Sequence, residues 1–206
     1  MPFRAVIFDL GGVVLGSPLH AFAAYERELG IEDGCVNRVV AETGEAGAWS
    51  RLERGLLDLE SFYPAFEDDC AAHGFHLSAS TMFARMGTDA APRPNMLRAI
   101  ERLREEGLRT AALTNNWVTR ETEAHPLIPI FDEFVESAVE GLQKPDPRIY
   151  ELVLARLGTA ADESIFLDDI GRNLKTARTM GMTTIKVDSP EEALAELQTH
   201  LGFALT

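Results

Sequence analysis

The sequence is poor in cysteine and has no long hydrophobic run. Its 206 residues include two cysteines, Cys35 and Cys70, too few for a disulfide framework, and we interpret both as reduced core residues. The apolar stretch over residues 5–15 contains Asp9 and is about half as long as the ~20 residues of a membrane-spanning helix. It also lacks a basic leader and a small-residue cleavage site. We therefore expect a cytoplasmic protein with no membrane partner.

Basic residues are also in short supply. There are 19 Lys and Arg against 33 Asp and Glu, a net charge of −14. A duplex-binding surface needs clustered Lys and Arg, so we expect no nucleic-acid partner, although a local basic site for a small anion is compatible with this charge. The hydrophobic content of 46% and charged content of 25% exclude disordered and fibrous classes. This length fits one domain, or one domain with an inserted subdomain.

The pattern of apolar residues divides the chain into three zones. Residues 4–9 form a short continuous apolar run before a Gly-Gly turn, which is typical of a buried parallel strand. Residues 19–87 show helical spacing of apolar side chains. From residue 92 onward helices alternate with strand-like runs at 109–114, 133–137, 164–168 and 183–187. The alternation predicts an α/β fold with a parallel sheet and helices on both faces, and the helical zone is an insertion after the first strand.

Polar residues follow the predicted strands at the points where they end. Asp9 ends the first strand, Thr114 the second, and Asp168 and Asp169 the fourth, while Lys144 lies in the loop after the third. Each residue alone has an ordinary explanation as a turn cap, a strand residue or a surface charge. Ligands of open α/β sheets bind beyond the carboxyl ends of the strands. The four positions together therefore predict one site.

These residue types suit phosphoryl chemistry. A carboxylate beside a divalent cation can attack phosphorus as a nucleophile. Clustered carboxylates repel one another, and Mg²⁺, which takes oxygen ligands, relieves that repulsion. Lys144 would neutralise charge on the phosphoryl group and on Asp9, while Thr114 and the backbone N–H groups after Asp9 could hold phosphate oxygens. Gly11 and Gly12 allow the backbone to approach a ligand closely.

Four segments resemble the motifs of haloacid dehalogenase-like (HAD) hydrolases of subfamily IA. The segments are residues 8–14 (FDLGGVV), 113–117 (LTNNW), 143–147 (QKPDP) and 166–173 (FLDDIGRN). Within that family the chain is most similar to the phosphatase domain of soluble epoxide hydrolases and to bacterial sugar-phosphate phosphatases. The resemblance implies a Rossmann-like core of residues 1–14 and 91–206, with a helical cap subdomain of residues 15–90 inserted into it.

The resemblance also assigns roles within the site. It implies that Asp9 is the nucleophile and that the Asp9 carboxylate, the Gly11 carbonyl and Asp169 hold Mg²⁺, with Asp168 supporting that metal. Lys144 would bridge phosphate and nucleophile. The implied phosphate-binding residues are Leu10, Gly11, Thr114, Asn115 and Lys144. Asn173 would orient the acidic pair, and the expected residues at the substrate mouth are Asn116, Trp117 and Arg172.

One position departs from the family pattern. Family phosphatases usually carry a second aspartate two positions after the nucleophile, as general acid and then base, and here that position is Gly11. Losing such a group typically costs about 10²–10⁴-fold in rate. His20, in the segment that enters the cap, is a candidate substitute, although a solvated loop histidine is the simpler interpretation.

The leading hypothesis is a Mg²⁺-dependent phosphatase that hydrolyses a small organic phosphate monoester, of a sugar or a lipid, through an aspartyl-phosphate. One alternative is a 2-haloacid dehalogenase, but family dehalogenases usually have an aromatic residue at the position of Gly11. The other is a catalytically impaired phosphate-ligand or partner-binding protein, against which the retained Asp9 and Lys144 argue. The expected partner is a small-molecule phosphate, and both a monomer and a homodimer stay open.

Overall fold

The computed structural model describes residues 2–86, 91–117 and 125–205, without the side chains of residues 18–20. Five parallel strands form one sheet in the order β3-β2-β1-β4-β5. The strands are β1 (Ala5–Phe8), β2 (Arg109–Thr114), β3 (Glu133–Glu136), β4 (Ser164–Asp168) and β5 (Thr183–Lys186). The predicted parallel α/β sheet is confirmed, and β1 lies at its centre.

The register of the central strands positions the site. Every residue of β1 and β4 is buried, as expected for strands covered on both faces. Phe8 pairs with Ala112 of β2 on one side and with Leu167 of β4 on the other. Asp9 and Asp168 therefore leave the sheet side by side at its carboxyl edge.

Ten α-helices lie within the described residues. Those between β1 and β2 are α1 (Pro18–Leu29), α2 (Cys35–Thr43), α3 (Ala48–Glu53), α4 (Leu59–Ala72), α5 (Ala79–Met86) and α6 (Pro94–Glu105). The others are α7 (Ser137–Glu140), α8 (Pro147–Leu157), α9 (Gly171–Thr179) and α10 (Pro190–Leu201). Asp146 and Ser189 cap their helices, since their side chains accept from the backbone N–H groups of Arg148 and Glu192. None of these helices is both long and apolar enough to cross a lipid bilayer.

Helices cover both faces of the sheet. On one face, Ile100 and Leu103 of α6 and Leu197 of α10 pack in a cluster with Val6 and Phe8. On the other, Tyr150 and Val153 of α8 and Ala177 of α9 pack with Ile7 and Phe166. Alternate residues of β1 thus point to opposite faces, which is the two-residue period of a strand.

Helices α1–α5 have a hydrophobic cluster of their own. Its buried members include Phe22, Trp49, Phe62, Phe66 and Met82. Cys35 and Cys70 are buried in the same cluster and unpaired by any disulfide, which confirms their interpretation as core residues. Leu15 and Pro92 form an antiparallel bridge where the chain leaves and re-enters the sheet domain. We accordingly retain residues 15–90 as the proposed cap.

Candidate active site

Asp9 is buried at the carboxyl end of β1. Its exposed fraction is 6%, and its backbone N–H donates to the Leu167 carbonyl at 2.9 Å, extending the pairing with β4 by one residue. The N–H of Leu10 donates to Asp9 Oδ1 at 2.7 Å. This bond fixes the carboxylate, and the predicted phosphate contact of the Leu10 N–H would require it to change partner.

Lys144 lies between two buried carboxylates. Its Nζ is 2.9 Å from Asp9 Oδ1 and 2.8 Å from Asp168 Oδ2, and the side chain is 1% exposed. Burial by itself would lower the pKa of Lys144, but the charges of Asp168 and Asp9 outweigh it, so the net shift is upward. The ammonium group is therefore held charged against the predicted nucleophile.

Asp168 is held by the start of α9. Its Oδ1 accepts from the Ile170 N–H at 2.7 Å, and Asn173 Nδ2 donates to both of its oxygens at 3.1 Å. Asn173 is itself buried. Asn173 is thus hydrogen-bonded to Asp168, the contact that its predicted orienting role would use. The side-chain Oδ1 of Asn173 is a buried atom with no hydrogen-bond partner among the described residues.

Asp169 completes a cluster of three carboxylates. Oxygens of Asp9, Asp168 and Asp169 lie within 4.8 Å of one another. Gly12 has a φ of +78°, and a Cβ at this residue would overlap Asp169 Oδ2. Glycine is thus required there both by the backbone conformation and by the approach of the Asp169 carboxylate.

The electrostatics of this cluster suit a divalent cation. Burial raises the pKa of Asp9 to about 8, with Asp168 adding to the effect and Lys144 opposing it. Burial and the neighbouring Asp168 raise the pKa of Asp169 to about 6. When all three carboxylates are ionised they face one ammonium, which gives a charge of −2 in an all-oxygen donor set, and the raised pKa values show how unfavourable that charge is without a further cation. Mg²⁺ prefers such ligands, so the residues present fit the predicted metal.

The end of β2 contributes Thr114 and Asn115. Thr114 is buried beside this edge. Asn115 Oδ1 accepts from the Lys144 N–H at 2.8 Å, and Asn115 Nδ2 donates to the Lys144 carbonyl at 3.0 Å. The Asn115 side chain thus holds the backbone of Lys144, so the predicted phosphate contact of Asn115 is left to its own backbone.

The three residues predicted at the substrate mouth differ in position. Trp117 and Asn116 line a cavity between cap and sheet. Asn116 Nδ2 donates to Glu136 Oε1 at 2.6 Å, so this amide group already has a hydrogen-bond partner within the protein. Arg172 is exposed at the start of α9 and does not line this cavity in the described part of the chain.

The cavity has a volume of about 590 Å³ and begins at the predicted phosphate site. Gly11, Thr114 and Asn115 form its inner end. The wall away from that end is formed mainly by Leu15, Leu59, Tyr63, Phe83, Met86 and Trp117. Polar side chains of the described wall include Ser80 and His125, and burial lowers the pKa of His125.

Sequence reasoning missed two residues that the structure brings to the site. Arg93 Nη1 donates to the Gly12 carbonyl at 3.0 Å, supporting the turn that packs on Asp169. Glu53, the last residue of α3, accepts from Asn115 Nδ2 at 3.1 Å. Arg93 lies where the chain returns to the sheet domain after the predicted insertion, and this position could have pointed to it as a site residue. Nothing in the sequence around Glu53 indicates a role at the site. The side chain of His20 lies outside the described residues.

Comparisons with known proteins agree with this arrangement. Residues 3–181 match the family description haloacid dehalogenase-like hydrolase. The chain is 39% identical over 210 residues to mouse (Mus musculus) acyl-CoA dehydrogenase family member 10, covering 98% of this chain and 20% of the relative. It is 34% identical over 221 residues to bifunctional epoxide hydrolase 2 of Sus scrofa, covering 100% of this chain and 40% of the relative. The chain thus spans well under half of either relative.

A relative of similar length is sesquiterpene phosphatase astK of Aspergillus oryzae, with 28% identity over 204 residues and coverage of 97% of both chains. Among solved structures, a HAD-like family hydrolase from Porphyromonas gingivalis superposes with a TM-score of 0.71 at 22% identity, covering 98% of both chains. A HAD family enzyme from Bacteroides thetaiotaomicron, in complex with magnesium and inorganic phosphate, gives a TM-score of 0.61 at 19% identity, covering 89% of this chain and 93% of that one. These superpositions show the shared fold.

Proposed function

The chain belongs to the haloacid dehalogenase-like hydrolases, and on that premise we propose that it is a Mg²⁺-dependent phosphatase of an organic phosphate monoester, working through an aspartyl-phosphate. The observation that carries the proposal is the position of Lys144, whose Nζ contacts both Asp9 and Asp168 beside the three-carboxylate cluster. A buried lysine at a nucleophilic carboxylate suits a substrate that brings negative charge.

Each residue has a role in this reaction. Asp9 attacks phosphorus with one carboxylate oxygen, and the alcohol leaves as the P–O bond to it breaks. Lys144 and Thr114 hold the phosphoryl oxygens, and Asn115 keeps Lys144 in place through its backbone. Water then hydrolyses the acyl-phosphate, releasing phosphate and restoring Asp9.

The cation would be held by the Asp9 carboxylate, the Gly11 carbonyl and Asp169, with Asp168 supporting them. When bound, Mg²⁺ supplies charge neutralisation that lets an anionic nucleophile meet an anionic ester. Gly12 contributes by leaving room for Asp169, since a Cβ there would overlap its carboxylate.

The cavity favours a lipid-type monoester over a sugar phosphate. A sugar carries several hydroxyl groups, and each needs a hydrogen-bond partner when it leaves water. The described wall is formed mainly by aliphatic and aromatic side chains, including Leu59, Tyr63 and Phe83. Because burial of an apolar chain there stabilises the complex by about 25 cal/mol per Å², we propose an apolar alcohol as the leaving group.

Phosphate release from 4-nitrophenyl phosphate tests the reaction class. We expect turnover that requires Mg²⁺, is abolished by EDTA and is lost in Asp9→Asn. Asp188→Asn is the matched control, because Asp188 is exposed and pairs with Lys186 at the surface, and it should keep full activity. Halide release from 2-haloacids without added metal, in place of phosphate release, would instead favour dehalogenation.

Substrate length tests the leaving group. We expect kcat/KM to rise along a series of alkyl phosphates from ethyl to decyl, and to be lower for glucose phosphates. Phe83→Ser, which introduces a hydroxyl into the wall, should flatten the alkyl series. A preference for sugar phosphates in the unmodified protein would refute the lipid-type assignment and leave the phosphatase assignment standing.

A further inference from the structure

The proposed reaction requires a proton donor that the first motif does not supply. The departing alcohol needs a proton, and the attacking water must later lose one. Gly11 lies at the inner end of the cavity and has no side chain to do either. Its φ of −64° and ψ of 125° are open to any residue, so the backbone conformation does not explain why an aspartate is missing there.

A carboxyl group reaches this region from the cap. Glu53 Oε2 accepts from Asn115 Nδ2 at 3.1 Å, and Glu53 Oε1 accepts from Trp49 Nε1 at 2.9 Å. Asn115 is part of the cavity wall next to Thr114 and Gly11. Glu53 is therefore hydrogen-bonded to a residue of the cavity wall without lining the cavity itself. The separation of 62 residues between Glu53 and Asn115 is bridged by the docking of α3.

The surroundings of Glu53 suit proton transfer. Burial raises the pKa of Glu53 above its ordinary value, while the Trp49 hydrogen bond, the charges of Arg172 and Lys144, and the Asn115 hydrogen bond oppose that rise. A raised pKa increases the protonated fraction near neutral pH, which a general acid needs.

Three other described carboxylates near this edge already have partners or a predicted role. Asp9 and Asp168 are paired with Lys144, and Asp169 belongs to the predicted cation site. Glu136 accepts from a neutral donor, Asn116 Nδ2, at 2.6 Å, and lies at the end of the edge strand β3. Among the described residues, Glu53 accepts hydrogen bonds from the neutral donors Trp49 and Asn115, so a proton can be held on it without breaking an ion pair of the described chain.

We propose that Glu53 is the acid–base residue of this phosphatase, delivered by the cap in place of the aspartate that the sequence lacks at position 11. The inference rests on the proposed function. As Asp9 bonds to phosphorus and the ester P–O bond breaks, the Glu53 carboxyl gives its proton to the leaving oxygen, which departs as the alcohol. The Glu53 carboxylate then takes a proton from the attacking water, whose oxygen bonds to phosphorus as the bond to Asp9 breaks.

The same helix offers a matched control. Ser50 of α3 donates to Gln143 Oε1 at 3.1 Å, directly before Lys144. Ser50→Ala removes a contact between α3 and the sheet domain without touching an ionisable group. It separates the docking of α3 from proton transfer by Glu53.

The experiment measures kcat/KM for Glu53→Gln over aryl and alkyl phosphates of increasing leaving-group basicity. Glutamine keeps the size of the side chain and removes its proton. We expect alkyl phosphates to lose about 10²–10⁴-fold, with 4-nitrophenyl phosphate nearly unchanged because its leaving group needs no proton. Ser50→Ala should shift all esters by one common factor. An equal loss for every ester in Glu53→Gln would overturn the inference.

A second variant keeps the test valid if Glu53→Gln does not fold. Gly11→Asp places the usual family carboxyl at the inner end of the cavity. With Glu53 present as the acid, we expect little gain on alkyl phosphates, and in the Gly11→Asp, Glu53→Gln double variant we expect their turnover to recover. A gain of about 10² or more in Gly11→Asp alone would show that no acid was present before. Absence of Mg²⁺- and Asp9-dependent release from 4-nitrophenyl phosphate would instead defeat the proposed function itself.

Discussion

The carboxyl edge of the sheet and the interior of the cap are both buried, but they are built from different chemistry. At the sheet edge, charged side chains contact one another, with Lys144 between Asp9 and Asp168. In the cap, aromatic rings pack around Trp49, whose centroid is 5.5 Å from that of Phe66 and 5.7 Å from that of Phe62. The stability of the charged cluster depends on each of its partners, because removing one leaves a buried charge unpaired. The stability of the aromatic core depends mainly on the apolar volume that it fills.

Lys144→Met should have the largest effect, because it leaves two buried carboxylates without their countercharge. We expect a loss of about 3–5 kcal/mol in the free energy of unfolding, and a fall of about 10²–10³ in kcat. Urea denaturation and phosphate release measure the two quantities. Lys175→Met removes an exposed lysine from α9 as the control. If both variants behave alike, the comparison of the two regions fails.

Phe62→Ala tests the cap side of the comparison. Phe62 is fully buried against Trp49 and Phe66, so truncation should lower the free energy of unfolding by about 3–5 kcal/mol. The folded fraction should retain its kcat on 4-nitrophenyl phosphate, since no reacting atom is displaced. Phe66→Leu, which removes less side-chain volume, is the control and should cost less. A loss of kcat as large as that of Lys144→Met would mean that the two regions are not separable.

Gly12→Ala tests whether the sheet edge depends on the space that Gly12 leaves for Asp169. A Cβ there overlaps Asp169, so the Mg²⁺ concentration for half-maximal activity should rise about 10-fold or more. Gly107→Ala is the matched control, since Gly107 also has a positive φ, +83°, with open space around the added Cβ. Both substitutions carry the backbone penalty of about 1–2 kcal/mol. An equal Mg²⁺ requirement in both variants would contradict the proposed role of Gly12.

Glu26→Gln should have the smallest effect, although Glu26 is as buried as the aspartates. Its two oxygens accept from the N–H groups of Gly34 and Val36, at 2.7 Å each, and so cap the start of α2. We expect a loss of about 0.5–2 kcal/mol in the free energy of unfolding. The Mg²⁺ requirement and kcat should stay constant. A change in either would show that a buried cap carboxylate with a structural contact also supports the chemistry.

Most of the sheet and much of the candidate site could be predicted from the local pattern of apolar and polar residues. The strand at 109–114 and the strand at 164–168 have the predicted bounds, because continuous apolar runs with polar ends identify buried parallel strands. Since parallel strands share one carboxyl edge, the convergence of Asp9, Thr114 and Asp168 followed from topology alone. The short helices α3 and α7 were not anticipated, since six and four residues carry too little periodicity.

The helical character of the proposed cap could be predicted, but the orientation of its individual helices could not. Helical spacing indicated helices over residues 19–87, and Phe62 and Phe66 of α4 are buried in the cap cluster. Tyr63, between them in the sequence, is half-buried against that cluster and also lines the cavity. Neighbouring positions on a helix differ by about 100° in direction, so the pattern alone cannot say which side of an inserted helix meets the sheet domain.

The parallel α/β core, the family and the aspartates, lysine and threonine at the sheet edge could be identified from the sequence, because each of these depends on residues near one another in the chain or on a strand end. The apolar cavity and the contact of Glu53 with Asn115 across 62 residues became visible in the tertiary structure alone. The docking of α3 is a sum of contacts between distant segments, among them Ser50 with Gln143. Such contacts leave no local pattern, so the docking of α3 cannot be predicted from any single stretch of sequence.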